Sequence, residues 1–317
     1  RRVRRRIVIV MAQDIRSFEL VDPAGGELPA FEAGAHIDVH LPGGLTRQYS
    51  LCDPPWQRFH YRIAVLEAAG GRGGSLAMSR SIRCGDLLET SEPRNLFPLN
   101  TEADHTVLLA GGIGITPIVA MAQKLMQEGL SFELHYCTRT RDRSAFLKRL
   151  EPLIAAGQAF LHCDNGDPRE GLDLAQLLRV RGEGAHLYYC GPPGFMKAAG
   201  TASSHWPRHA VHCEYFLPEA GAAPSGLPTE TGEFEVILDR SQMAVRVPGS
   251  KSILQAVRDA GIECNSSCET GVCGACRVRY LDGTPEHRDY VLDDEELRIV
   301  VLICCARASS EYLVLDL

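Results

Sequence analysis

Hydrophobic and polar positions change rhythm twice along the chain. Over residues 1–102, short apolar stretches are punctuated by Gly and Pro, as in "HIDVHLPGG", "RQYSLCDPP" and "RFHYRIAVLEAAGG". Brief runs bounded by turn residues predict an antiparallel β-barrel. Over 103–217 the pattern lengthens. "TVLLA" is a continuous apolar run, the mark of a buried parallel strand. "GGIG" then turns, and "TPIVAMAQKLMQEG" has helical spacing, with Pro117 in the first turn and Gly129 as the stop. "FELHYCTR" (132–139) reads as a second strand, and "AHLYYCGPPGFMKAA" (185–199) repeats strand, turn and helix. This alternation predicts an α/β domain with a parallel sheet covered on both faces. Residues 218–231 are rich in Pro, Gly, Ala, Ser and Thr, have no hydrophobic period, and read as a linker. Over 232–317, strand-like "GEFEVILDR" and "MAVRVPG" precede an amphipathic helix at 250–261, and "EYLVLDL" closes the chain. A small α+β domain of the β-grasp type accommodates that order. The whole is multidomain.

Composition narrows the partners. The 317 residues carry a net charge of -7, which argues against nucleic acid and suits a protein partner with a basic patch. No apolar run approaches the ~18 residues of a membrane span. "RRVRRR" resembles the start of a signal peptide, but the "IVIVMA" that follows is too short for its apolar core. A cytoplasmic protein is expected. The chain opens on Arg1 rather than Met, so the sequence can be a piece of a longer one.

Twelve cysteines without a secretory signal point to metal binding or catalysis rather than disulfides. Cys52, Cys84, Cys137, Cys163, Cys190, Cys213, Cys264 and Cys305 are scattered among apolar residues and for the most part read as small buried hydrophobes. Cys268, Cys273 and Cys276 are different. They form C-x4-C-x2-C, the spacing of plant-type 2Fe–2S ferredoxins, which need a fourth thiolate further on. Gly271 and Gly274 allow the tight bends of such a loop and leave backbone N–H groups to point at sulfur. The spacing leaves both Cys304 and Cys305 as candidates for the fourth ligand. A structural zinc site, the competing reading, more often shows paired C-x2-C knuckles or histidines.

Four further motifs precede the cluster. "RQYS" (47–50) ends a strand, and "GRGGS" (71–75) offers free N–H groups, an arginine and a hydroxyl, as a phosphate requires. "GGIGITP" places a glycine turn between a strand and a helix, where nucleotides bind, and "YYCGPPGFM" supplies a second such turn. Each alone is an ordinary tight turn; in this order, ahead of the cysteines, they are specific.

With "HCEYF" and "ICCARA", these motifs make the whole chain resemble the phthalate dioxygenase reductase family. Members are flavin reductases of the ferredoxin–NADP reductase superfamily with a C-terminal 2Fe–2S domain. The resemblance implies an FMN-binding barrel at 1–102, an NAD(P)-binding domain at 103–217 and a ferredoxin domain at 232–317. It implies FMN contacts from Arg47, Gln48, Tyr49, Ser50, Ala64 and Val65, with Gly71, Arg72, Gly73, Gly74 and Ser75 around the phosphate. Thr116 and Phe216 would lie at the flavin, and Gly111, Gly112, Gly114, Thr138, Arg139, Cys190, Gly191 and Pro192 at the nicotinamide nucleotide. Ser50, Thr116, Cys190 and Phe216 would flank the reacting rings, and Cys304 would join Cys268, Cys273 and Cys276 on the cluster.

The chain departs from the family at "HCDNGDP" (162–168), which leaves Cys163 and Asn165 without a carried-over role. The arginines of "CTRTRDR" (137–143) suit either a solvated loop or a 2′-phosphate, so NADPH stays beside the expected NADH. The implied activity is a change of electron number: hydride from NAD(P)H to FMN, then single electrons through the cluster to an oxygenase. The acceptor would be a separate Rieske-type oxygenase or a fused haem-thiolate monooxygenase, and the reductase a monomer. A non-enzymatic redox carrier with a vestigial flavin region is the alternative, and a zinc-binding interaction module a third reading.

Overall fold

The computed structural model describes residues 1–42, 45–67, 73–216, 232–266, 268–292 and 295–317, and the counts below refer to these. The expected linker at 218–231 lies outside the described residues. The chain divides into two compact units, Arg1–Phe216 and Leu217–Leu317.

The first unit opens with six strands: β1 (Arg2–Ala12), β2 (Ile15–Val21), β3 (His36–Leu41), β4 (Leu45–Ser50), β5 (His60–Leu66) and β6 (Leu87–Thr90). They form one antiparallel sheet in the order β4-β3-β6-β1-β2-β5. Its edge strands β4 and β5 approach each other, curling the sheet into a barrel. Val3, Phe18, Leu20, Ile37, Val39, Leu51, Tyr61 and Ile63 fill the interior. A single helical turn, α1 (Gly74–Leu76), runs into a wider π turn at Ala77–Ser81.

The same unit continues into a five-stranded parallel sheet. Its strands are β7 (His105–Gly111), β8 (Phe132–Thr138), β9 (Ala159–Cys163), β10 (Ala185–Gly191) and β11 (Val211–Tyr215), ordered β11-β10-β7-β8-β9. The helices are α2 (Ile115–Glu128), α3 (Leu147–Ala155), α4 (Leu174–Leu178) and α5 (Pro193–Ala202). As expected, Gly129 stops α2, adopting the left-handed conformation and donating its N–H to Leu125 and Met126 carbonyls. The chain steps from β7 through β8 to β9 on one side, then returns to lay β10 and β11 on the other. The order therefore reverses between β7 and β10, where a crevice opens at the carboxyl ends of strands.

The second unit pairs β12 (Phe234–Leu238), β13 (Met243–Val247), β14 (Arg277–Glu286), β15 (Val300–Leu302) and β16 (Arg307–Leu315) in the order β13-β12-β16-β14-β15. One helix, α6 (Ile253–Asp259), buries Ile253, Leu254, Ala256 and Val257 against this sheet, giving a β-grasp. The helix is shorter than the expected 250–261, because Ser252 is its cap. Ser252 Oγ accepts from Gln255 N (3.2 Å) while Gln255 Oε1 accepts from Ser252 N (3.1 Å).

Barrel and parallel sheet are joined by a buried ionic cluster. Arg149 on α3 donates to Asp53 Oδ1 (2.5 Å) and to the Cys52 carbonyl (3.0 Å). Asp53 also meets His60 Nε2 (2.8 Å) and Arg62 Nε (3.2 Å). Burial works to raise the Asp53 pKa, but the bond from His60 and the charges of Arg149 and Arg62 outweigh it and hold the carboxyl low. A carboxyl depressed in the folded state stabilises above its unfolded pKa of about 4 and loses that contribution as the pH falls through the folded value. Arg149→Met should therefore lower unfolding free energy by about 2 kcal/mol at neutral pH, with the difference vanishing in acid. Urea titrations of both proteins across that range measure it.

Candidate functional site

The glycine turn after β7 sits at the reversal of strand order. Gly112 takes φ +51°, and a short 3-10 turn at Gly112–Gly114 leads into α2. A Cβ on Gly114 would lie 2.2 Å from the Cys190 carbonyl oxygen, and one on Gly191 would lie 3.0 Å from Gly111 Cα. A Cβ on Gly111 would meet Pro192 Cδ at 2.8 Å. The turn of "GGIG" and the turn of "CGPP" thus touch backbone to backbone, and only glycine allows it. Thr116 is buried, and its Oγ1 donates to the Ile113 carbonyl (3.0 Å), fixing the first turn of α2.

The barrel contributes the strand β4. Ser50 is buried at its end, and its Oγ donates to Glu214 Oε2 at 3.1 Å. Glu214 lies on β11 in register with Cys190 on β10. Ser50, Cys190 and Glu214 therefore gather at one place, formed half by the barrel and half by the parallel sheet. Burial pushes the Glu214 pKa up to about 8 against the opposing effect of the Ser50 bond, so the carboxyl is protonated at neutral pH. His36 Nδ1 stands 3.9 Å from Glu214 Oε1, and neither ring nitrogen makes a hydrogen bond. Burial, reinforced by Arg94, pushes His36 down to about 4 and keeps it neutral. Burial also raises the Cys190 thiol, with Glu214 adding to it. Neither Glu214 nor His36 is among the residues that the sequence motifs single out. The available signal was a lone carboxylate in "VHCEYF", a strand with otherwise little charge.

The other expected flavin residues lie nearby in varied settings. Gln48 Nε2 is a buried donor without a partner, and a Cβ on Gly74 would collide with the Arg47 side chain, 2.3 Å from Nε. Arg47 is thereby laid against α1, the helical turn that contains Ser75. Gly73 is left-handed, with φ +78°; Gly71 and Arg72 lie outside the described residues. Burial raises the Tyr49 phenol to about 12, partly countered by Arg47. Ala64 packs toward the parallel sheet, whereas Val65 points into the barrel core. Phe216 packs against the cluster of buried residues shared by barrel and sheet. Thr138 Oγ1 is engaged internally with Ser144 Oγ (2.8 Å), and Arg139 is exposed at the strand end. A partnerless buried amide, a cationic side chain over a glycine loop and a glycine-lined crevice fit a flavin and a dinucleotide.

The second unit gathers four thiols. Cys268 and Cys273 interact with each other, as do Cys276 and Cys304. Cys273, Cys276 and Cys304 are buried. Gly271 (φ +78°) and Gly274 (φ +67°) are both left-handed, and Glu269 joins them at φ +55°, held by Arg258 and Ser266. The N–H groups aimed at sulfur belong to their neighbours: Thr270 N to Cys268 Sγ, and Cys268 N and Ala275 N to Cys273 Sγ, each 3.4 Å. Hydrogen bonding, first from Cys273, lowers Cys268, whereas Cys273, Cys276 and Cys304 are raised. Cys305 turns instead to the Leu302 carbonyl (3.6 Å) and toward Gly271, whose Cβ would lie 2.9 Å from its sulfur. Two pairs of thiols suit a cluster of two irons with four cysteine ligands. Among the described residues no three His, Cys, Asp or Glu side chains converge on a single-ion site. Of the scattered cysteines, Cys52, Cys190 and Cys305 are buried as expected, Cys137, Cys163, Cys213 and Cys264 are partly buried, and Cys84 is exposed, its thiol reaching the Arg6 carbonyl.

Comparison with known proteins bears on both units. Residues 236–309 match the model of the 2Fe-2S iron-sulfur cluster binding domain, and residues 108–201 that of the oxidoreductase NAD-binding domain. The reductase subunit of tert-butanol monooxygenase / tert-amyl alcohol desaturase from Aquincola tertiaricarbonis is 45% identical over 96% of this chain and 92% of its own. Phthalate dioxygenase reductase from Burkholderia cepacia is 42% identical over 97% and 94%. A solved phthalate dioxygenase reductase structure superposes with TM-score 0.77 and 40% identity, covering 100% of this chain and 98% of that one. A type IV self-sufficient cytochrome P450 monooxygenase gives TM-score 0.86 and 37% identity, covering all of this chain but 41% of that one. No described helix is long and apolar enough to cross a membrane.

The contact beneath Cys190 makes a direct prediction. Gly114→Ala should weaken NADH binding about tenfold or more, because the turn must retreat from β10. Gly194→Ala, where an added Cβ meets nothing within 4 Å, should leave binding unchanged. Equilibrium titration with NADH distinguishes them.

Proposed function

Because the chain belongs to the phthalate dioxygenase reductase family, we propose that it is an NADH-dependent reductase serving a Rieske-type non-haem iron oxygenase. The observation that carries this reading is the presence, in one chain, of paired buried thiols and a glycine-lined switch point facing a barrel strand. When bound, FMN takes two electrons as hydride from the nicotinamide, and the 2Fe–2S cluster relays them singly to the oxygenase.

The residues divide the work. Arg47, Gly73, Gly74 and Ser75, with Arg72, hold the flavin phosphate, and Gln48 supplies a buried donor to the ring system. Tyr49 offers a phenol that burial keeps neutral. Gly111, Gly112, Gly114, Gly191 and Pro192 let the nucleotide approach the backbone. Ser50 presents its hydroxyl to the reacting ring edge, oriented by Glu214. The protonated Glu214 leaves the crevice without a fixed negative charge where negative charge develops. Thr116, Cys190 and Phe216 line the same crevice and keep water out. Cys268, Cys273, Cys276 and Cys304 ligate the cluster. Arg143 is drawn toward Asp14 (3.6 Å), away from a 2′-phosphate role, which favours NADH. The reductase acts as a monomer.

A second reading has one specific support. The likeness to the self-sufficient P450 spans this whole chain, so the acceptor would then be a haem-thiolate domain of the same polypeptide. An open reading frame encoding such a domain in frame ahead of Arg1 would decide for it.

Anaerobic titration with NADH should bleach flavin and iron–sulfur absorbance in sequence, with NADPH at least tenfold slower. A colourless protein, or one whose cluster stays oxidised, refutes the assignment. Flavin reduction by NADH, followed by stopped flow, should slow as the pH rises through about 8 and Glu214 ionises. In Glu214→Gln that inflection should be gone.

A further inference from the structure

The geometry points to Thr270 as a determinant of the cluster's reduction potential, its hydroxyl donating to the Cys268 thiolate. The inference rests on the reading that the four cysteines hold a 2Fe–2S cluster. Thr270 lies two residues after Cys268 in the loop to Cys273. The residue is 5% exposed, and its Oγ1 has no hydrogen-bond partner. Buried hydroxyls are nearly always satisfied, because leaving one unmade forfeits its hydration without return. An orphan here marks a bond completed in the loaded protein.

The backbone selects the acceptor. Thr270 N already points at Cys268 Sγ at 3.4 Å, so the residue that carries the hydroxyl is tied to that sulfur through its backbone. A neutral thiol is a weak acceptor, whereas a ligating thiolate carries charge and accepts well. The bond therefore forms when iron holds the sulfur deprotonated. Reduction adds one electron to the cluster and makes its sulfurs more negative. A donor to sulfur is then stronger in the reduced state, and it raises the potential. Thr270 is not a ligand; it acts through Cys268, as a positioning and tuning residue.

The test is an EPR-monitored redox titration of the holoprotein, with iron and sulfide content measured beside it. Thr270→Val removes the hydroxyl and keeps the shape, and Thr270→Ser keeps the hydroxyl. At the wild-type midpoint, the valine variant should show its reduced-to-oxidised ratio cut about tenfold, a shift of about 59 mV to more negative potential for one electron. The serine variant should stay near the wild type. Equal potentials in all three, or equal shifts in valine and serine, overturn the inference. Should the valine variant fail to load its cluster, Thr270→Ala takes its place, and an unmoved potential there overturns it equally. Absence of any reduced-cluster signal in the wild type refutes the cluster reading and this inference together. A signal whose potential ignores the hydroxyl refutes this inference alone.

Discussion

Two strand ends meet closer than any side chain would permit, and the N-terminal unit is arranged around that contact. Gly114 lies under the Cys190 carbonyl, and Gly111 lies against Gly191. Because β7 and β10 are neighbours at the reversal of strand order, their following turns diverge into α2 and α5 and leave a crevice between them. A methyl group at either turn would push the helices apart or close the crevice. The glycines are thus conditions for the site's shape before they are contacts to any nucleotide.

That crevice is completed from outside the parallel sheet. Ser50 ends a barrel strand, Glu214 belongs to β11, and one hydrogen bond joins them. Asp53 and Arg149 make a second join between barrel and parallel sheet. The two joins differ in electrostatics. Asp53 is surrounded by cations and stays charged, so its contribution is structural and fails only in acid. Glu214 is largely buried and has no cation beside it, so it stays protonated and leaves the crevice without a fixed charge. Similar carboxyls thus serve opposite ends because their surroundings differ.

The second unit solves a separate problem by local means. Bringing four thiols together needs a loop of alternating handedness, supplied by Gly271, Gly274 and the tethered Glu269. The loop then turns its N–H groups toward sulfur rather than solvent. A short helix with a complete capping box and a five-stranded sheet hold it.

The sequence by itself determined the elements and most of the chemistry. Apolar runs ending in glycine gave β7 and β10, helical spacing gave α2, and C-x4-C-x2-C gave the cluster loop, because each signal is carried by residues adjacent in the chain. Spacing left Cys304 and Cys305 equivalent; the structure turns the first toward Cys276 and the second toward Gly271 and Leu302. Nor did local pattern show that "GGIG" and "CGPP" would touch, or that Glu214 would reach Ser50 across 164 positions. Those facts depend on strand order, and strand order is set by how whole faces pack. Burial likewise decided which carboxyl is charged, since a glutamate in a string of letters has no solvent. Local propensity writes the parts, and long-range packing fixes which of them meet and in what dielectric.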